Sequence, residues 1–308
     1  MRAVIVGAVE STRIALRAAG QAPGWQAVGL LTLPQALAHR HSDFVDLRED
    51  AAEAGISAIC WDNTNSDAAL RYLSDLKPDY VFVIGSSQLC GEAFLNCAPG
   101  RVIGYHPAPL PRLRGRGVIP WTILLNEPIT ASTLFKMDLG TDTGAIVEQR
   151  FFHVRPDETA ASLYAHHMEV LGAMLPDVLA RLAIGNLVAQ PQDEAYATYA
   201  ARRRPEDGEI DWNQPAADVW RMVRACGEPY PGAYTTLRDE ALVIDEAKIV
   251  TLDRYRAAFP GQIVARGLDD FTVCCGDDQG LRVFRWRWTQ ERMPPLHIRL
   301  GFGSRKVS

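Results

Sequence analysis

"DYVFVIGSSQLCGEAFLNCAPGRVIGYH", residues 79–106, decides the fold. It opens on an apolar run, Tyr80 to Ile84, that closes on Gly85, and such a run reads as a strand. "GEAFLNCAPG" follows as a short helix and "RVIGYH" as a further strand ending on His106. Strand, helix and strand in close succession are the unit from which parallel sheets are built.

The same alternation extends towards the amino terminus. "RAVIVG" at 2–7 is a short β-branched run ending in glycine, a buried parallel strand. "ESTRIALRAAGQ" is a helix, with Ser11 or Thr12 as its N-cap and Gly20 as its stop. "WQAVGLLTL" and "SAICW" are strands, separated by a loop and helix in "DFVDLREDAAEAGI". "NSDAALRYLSDLKP" is a helix with Ala69, Leu70, Leu73 and Leu76 on one face. The expected class is therefore α/β: a Rossmann-like, mostly parallel sheet with helices on both faces. Ligands in such sheets bind beyond the carboxyl ends of the strands, where His106 sits.

Beyond His106, "VIPWTILLNEP" reads as a helix, "TASTLFKMD" and "AIVEQRFFHV" as strands, and "ASLYAHHMEVLGAMLPDVLARLAIG" as a long amphipathic helix. His166 and His167 on that helix point to different faces and read as a solvated or packed pair. The polar, charged stretch "AQPQDEAYATYAARRRPEDGEIDW" marks a boundary between a first domain, residues 1–200, and a second, residues 206–308. After the helix "PAADVWRMVRACG" come short strands in "ALVIDEAKIV", "GQIVARG", "DFTVCCG" and "LRVFRWRW". They suit a small β-barrel-like (OB-like) domain, with Trp286 and Trp288 on a core face and Arg285 and Arg287 opposite.

Length agrees with two domains, since 308 residues exceed one typical core. A net charge of −5 argues against a surface built to neutralise phosphates, so a nucleic-acid partner is disfavoured. The three arginines at 202–204 are followed by Glu206, Asp207, Glu209 and Asp211, which largely cancel their field. No apolar run is long enough to span a bilayer, and the first residues do not read as a secretion signal. None of the six cysteines forms a CxxC pair, so no metal is expected, and reduced thiols point to the cytoplasm. A homodimer is admitted.

Two stretches carry the candidate chemistry. "VGAVEST" is not one of them: it lacks both GxGxxG and GxxxxGK[ST], and Gly7 reads as a tight strand-to-helix turn. The first is His106 with the loop after it, where Pro107, Pro109 and Pro111 stiffen the backbone ahead of Arg112, Arg114 and Arg116. Arg114 and Arg116 are candidates to hold an anionic acceptor, or to pair with internal acids. The second is "MDLGTDTG", residues 137–144, which sets Asp138 and Asp142 among glycines. A carboxylate beside an imidazole in a cleft is a common means of proton transfer; the alternative is that His106 caps a strand and Asp142 a turn.

Three stretches together resemble the folate-dependent formyltransferases. "HPAPLPRLRG" is similar to their H-x-S-L-L-P-x-x-R-G loop, and "STLFKMDLGTDTGAIV" to their D-x-G-x-D-T-G signature. "EIDWNQPAADVWRMVRACGEPYPGAYT" resembles the start of the carboxy-terminal domain in methionyl-tRNA formyltransferases, amino-sugar formyltransferases and the hydrolase domain of formyltetrahydrofolate dehydrogenase. The resemblance implies transfer of a formyl group from N10-formyltetrahydrofolate. It assigns His106 and Asp142 to two of the family's three reacting positions. The third, an asparagine two residues before the histidine, is Gly104 here, so a water or a different acceptor would use that space. Ser86, Ser87, Gln88, Leu89, Asp138 and Gly140 fall in the loops that hold the folate, and Pro111, Arg114, Gly115 and Arg116 face the acceptor. The implied acceptor is a small amine, with a nucleotide-linked amino sugar preferred. A hydroxyornithine-type amine, hydrolysis of formyltetrahydrofolate, and a folate-binding module without turnover stay open, and methionyl-tRNA is less favoured.

Overall fold

The apolar runs become strands of one sheet, and the polar stretches between them become the helices and loops that cover it. The computed structural model describes residues 1–253, 257–290 and 292–301. In chain order the first elements are β1 (Arg2–Val6), α1 (Glu10–Gln21), β2 (Gln26–Thr32), α2 (Arg48–Glu53), β3 (Ser57–Cys60) and α3 (Asp67–Leu76). Then follow β4 (Tyr80–Val83), α4 (Glu92–Leu95), β5 (Val102–His106), β6 (Arg114–Gly115), α5 (Val118–Leu124), β7 (Ile129–Lys136), β8 (Ile146–His153), α6 (Ala160–Ala183) and β9 (Tyr199–Ala200). The sheet order is β3-β2-β1-β4-β5-β7-β8. Strands β3 to β5 pair in parallel, whereas β7 and β8 add in antiparallel sense.

Both faces of this sheet are buried. Ile5, Leu30, Phe82, Ile103 and Leu134 pack with α1 and α6 through Leu16, Leu171 and Leu175. Val4, Val81, Val83 and Val102 pack with α3 and α4 through Leu73 and Phe94. This is why the strands read as continuous apolar runs rather than as alternating ones.

Two boundary expectations are corrected. Val9, not Ser11 or Thr12, holds the N-cap position of α1. Thr12 lies a turn inside, accepts from the Val9 amide (3.2 Å) and donates to the Ile84 carbonyl (2.6 Å), tying helix to strand. Gly20 does not stop the helix, which runs on to Gln21. The chain turns extended at Ala22, the residue before Pro23, where proline disfavours helical backbone. Gly7 is required as expected: a Cβ there would lie 2.0 Å from the Ile84 carbonyl oxygen.

The chain clusters into two compact units: residues 1–118, 128–154 and 163–202, and residues 119–127, 155–162 and 203–308, of which 302–308 lie outside the described residues. The second unit holds α7 (Ala216–Cys226), β10 (Ala233–Leu237), β11 (Glu240–Thr251), β12 (Ile263–Arg266), β13 (Phe271–Cys274) and β14 (Gln279–Arg287). Its strands form an antiparallel sheet in the order β10-β11-β14-β13-β12. Its core gathers Trp212, Val219, Val223, Phe271 and Leu281, with Trp286 and Trp288 packed against it. Arg285 and Arg287 pair with Glu246 and Asp245. Among the described residues, no helix is long and apolar enough to cross a membrane.

Candidate active site

His106 ends β5 with 4% of its surface exposed. Its Nε2 lies 2.7 Å from the Leu113 carbonyl oxygen. A carbonyl only accepts, so Nε2 carries hydrogen and donates. In the neutral ring Nδ1 is then a bare lone pair, and 3.6 Å from it stands Asp142 Oδ2. Two acceptors facing each other attract only through a proton between them. A hydrogen on Nδ1 would turn this facing pair into donor and acceptor, and 3.6 Å leaves no room for another heavy atom between them.

Asp142 is held from three directions. Its backbone is left-handed, at φ +55°. Its Oδ2 accepts from the Gly115 amide at 2.8 Å. Its carbonyl accepts from Gln192 Nε2 (2.8 Å), which also donates to the Gly144 carbonyl (2.7 Å). The loop itself is tight. A Cβ on Gly144 would meet the Lys136 carbonyl oxygen at 1.7 Å, so only glycine allows this approach.

The arginine-rich loop is held as firmly. The Ala108 carbonyl accepts from Thr133 Oγ1 (2.7 Å), and the Leu110 carbonyl from Gln149 Nε2 (2.9 Å). Strand β6 pairs with β9, and Leu113 and Arg114 donate to Thr198. The stretch 190–202, which reads as a connector, is thus the wall that fixes this loop. Gln192 and Thr198 are site residues that the sequence did not reveal. They lie far along the chain from both loops, and a glutamine in a polar stretch carries no pattern.

Several expected roles change. Arg114 does not face an acceptor: it is fully buried, and its guanidinium is filled by Gln192, Glu194 and Tyr199 at 2.6–3.1 Å. The hydrogen bond to Glu194 raises its already high pKa. Gly115 uses its amide on Asp142, and Pro111 accepts from the Thr198 amide (3.2 Å). Arg116 is exposed; partial burial first, then the charge of Arg202, lowers its pKa.

Gly104 supplies no reacting group and no free space. Its backbone lies in the ladder between β4 and β7. A Cβ there would meet Phe135 Cζ at 2.8 Å and Met137 Cγ at 3.0 Å. The place expected for a water or another acceptor is filled by apolar side chains.

Of the expected folate residues, Gln88 ties its own loop to the next: it accepts from the Thr64 amide (2.8 Å) and donates to the Asp62 carbonyl (2.9 Å). Ser86 Oγ accepts from the Gln88 amide, and Ser87 Oγ lies 3.4 Å from His41 Nε2. Asp138 folds back onto the Gly140 amide (3.0 Å) and the Thr143 hydroxyl (2.6 Å). Leu89 and Leu139 are 66% and 67% exposed.

His167 is not solvated. It is fully buried on α6, with Nδ1 2.9 Å from Ser132 Oγ, which in turn lies 3.0 Å from the Tyr105 hydroxyl. Burial first, then the neighbouring His166 and His106, pushes its imidazole down to about 3.

The family model described as formyl transferase matches residues 38–179, and that of the formyl transferase C-terminal domain matches residues 202–296. The methionyl-tRNA formyltransferase of Geobacter metallireducens is 34% identical over 227 residues, covering 73% of this chain and 71% of its own. Among solved structures, an N-formyltransferase from Helicobacter canadensis, in complex with folinic acid and dTDP-3-aminofucose, superimposes with a TM-score of 0.69 at 16% identity. The match covers 92% of this chain and 98% of the other. HypX from Aquifex aeolicus, in complex with tetrahydrofolic acid, has a TM-score of 0.66 at 17% identity, over 94% of this chain and 45% of its own. At such identities the structural likeness speaks for the fold.

Proposed function

Because the chain belongs to the formyl transferase family and is a formyl-transferring enzyme, we propose that it moves a formyl group from N10-formyltetrahydrofolate to the amine of a nucleotide-linked amino sugar. The observation that carries the reading is the buried imidazole of His106 with the Asp142 carboxylate beside it, Nδ1 3.6 Å from Oδ2.

The folate is assigned to the loops after β4 and β7. Leu89 and Leu139 stand open to solvent, one on each loop, and offer apolar surface to a flat ring system. The bound folate supplies an activated formyl carbon. Asp142, fixed by Gly115 and Gln192, orients the amine and draws off a proton as the nitrogen adds. With Nε2 held on the Leu113 carbonyl, His106 donates from an Nδ1–H to the formyl oxygen as it gains charge; that proton then passes to the departing N10, while Asp142 keeps the one lost by the amine. The new bond is amine nitrogen to formyl carbon, and the broken one is carbon to N10. Arg116 is the arginine that stays available to an anionic acceptor.

Support for a sugar nucleotide comes from the H. canadensis neighbour, and the acidic net charge disfavours a large nucleic-acid acceptor. Methionyl-tRNA is the second reading, favoured by the 34% identical relative. Incubation with N10-formyltetrahydrofolate and each acceptor in turn, read by mass of the formylated product, separates them. Product with amino-sugar nucleotides alone is expected. Product with methionyl-tRNA alone replaces the acceptor, and rapid formate release without any acceptor sinks the transfer reading.

A further inference from the structure

Residues 104 and 106 of β5 project from the same face of the sheet, and Phe135 of β7 stands opposite Gly104 in register. The Phe135 ring is 3% exposed and reaches over the glycine, with Cζ 2.8 Å and Cε1 2.9 Å from where a Cβ would be. Met137 Cγ closes the same space at 3.0 Å. An aromatic ring laid over a strand glycine fills the volume a side chain there would have occupied. The strand position next to His106 on this face is thus covered by carbon atoms of Phe135 and Met137. An ordered water needs roughly two to four polar partners, and this wall offers none.

From this wall we infer that Phe135 determines what the reaction does with its formyl group, favouring transfer by denying water a position beside His106. The inference rests on the formyl-transfer reading. In hydrolysis the oxygen of water bonds to the formyl carbon and the carbon–N10 bond breaks. One water proton ends on N10, and the other is released as formate ionises. In transfer an amine nitrogen takes the place of that oxygen. The two reactions share His106 and the folate, and they differ in which nucleophile is held. With the Gly104 side closed by apolar groups, the polar group left beside the ring is Asp142, where the proposed reading holds the amine.

The test measures formate released per formyl group transferred, using the full chain with N10-formyltetrahydrofolate, with and without acceptor. Phe135→Ala opens a cavity beside His106 and is expected to raise that ratio about tenfold or more. Phe135→Leu, which keeps the wall apolar and leaves a smaller gap, is expected to raise it about two- to threefold. A change in packing alone lowers both rates together and leaves the ratio where it was. An unchanged ratio in a folded, folate-binding Phe135→Ala protein overturns the inference. If that variant does not fold, Phe135→Leu and Met137→Ala decide, and an unchanged ratio in both overturns it. The transfer reading fails separately, on the unsubstituted protein, if that protein releases formate rapidly with no acceptor present.

Discussion

His106 and His167 lie on opposite faces of the same sheet. His106 shares its face with Thr133, while Ser132, which holds His167, points the other way. Both rings are buried, at 4% and 0% exposure. What separates them is the company each keeps. His106 has a carbonyl on one nitrogen and a carboxylate across a gap from the other. His167 has a hydroxyl on one nitrogen and no partner for the other, and no acid offsets its desolvation. Burial alone makes a histidine inert. Burial with a carboxylate beside it leaves the ring the charged neighbour that the proposed proton transfer requires.

The largest effect should come from removing that pair. His106→Ala and Asp142→Asn are each expected to lower kcat/KM by about 10³-fold, within the usual range for an acid–base group with an oxyanion partner. Folate binding, read by fluorescence quenching, should change little. Turnover within a few-fold of the unsubstituted protein would remove these residues from the chemistry. The two losses should not add, because both variants break one proton-transfer unit.

Next comes the residue that aims the carboxylate. Gln192→Leu keeps the volume and removes the amide that bridges Asp142, Gly144 and Arg114. Misplacement of a reacting group by about 1 Å costs on the order of 10²-fold in rate, so kcat should fall by tens to a hundredfold. The two carbonyls left without a donor should each cost about 1–3 kcal/mol. A lowered melting temperature with an unchanged kcat would make Gln192 a purely structural clasp.

This ordering also marks what the sequence could disclose. The sheet was legible because apolar runs and turn residues are local signals, read without knowing what lies across the fold. His106 and Asp142 stood out as candidates because each lies in a local motif with its own glycines or prolines, and it was the family resemblance, not their spacing, that assigned them to the reaction. Arg114 was misread because a charge in a loop looks the same whether it meets solvent or Gln192 and Glu194, some eighty residues on. The reason for Gly104 was hidden for the same cause: the ring that fills its space belongs to another strand. A site assembled across a sheet is written in pairs of residues, and one sequence names the members without naming the pairs.

The smallest effect tests the inert member of the comparison. The folded His167 has its pKa held near about 3, below the ordinary 6.5 of the unfolded chain. Above pH 6.5 both states leave the ring neutral, and the stability due to this difference is fully present. As pH falls below 6.5 the unfolded chain takes up a proton that the folded chain refuses. Stability should then drop by about 1.4 kcal/mol per pH unit, until the folded ring itself titrates near about 3. His167→Gln keeps a polar group for Ser132 and removes the titration. Urea midpoints compared at pH 7.5 and pH 5.5 should fall less in this variant than in the unsubstituted protein, while kcat at pH 7.5 should differ by no more than a few-fold. Equal slopes would show that His167 is protonated inside the fold, and the contrast with His106 would then rest on geometry alone.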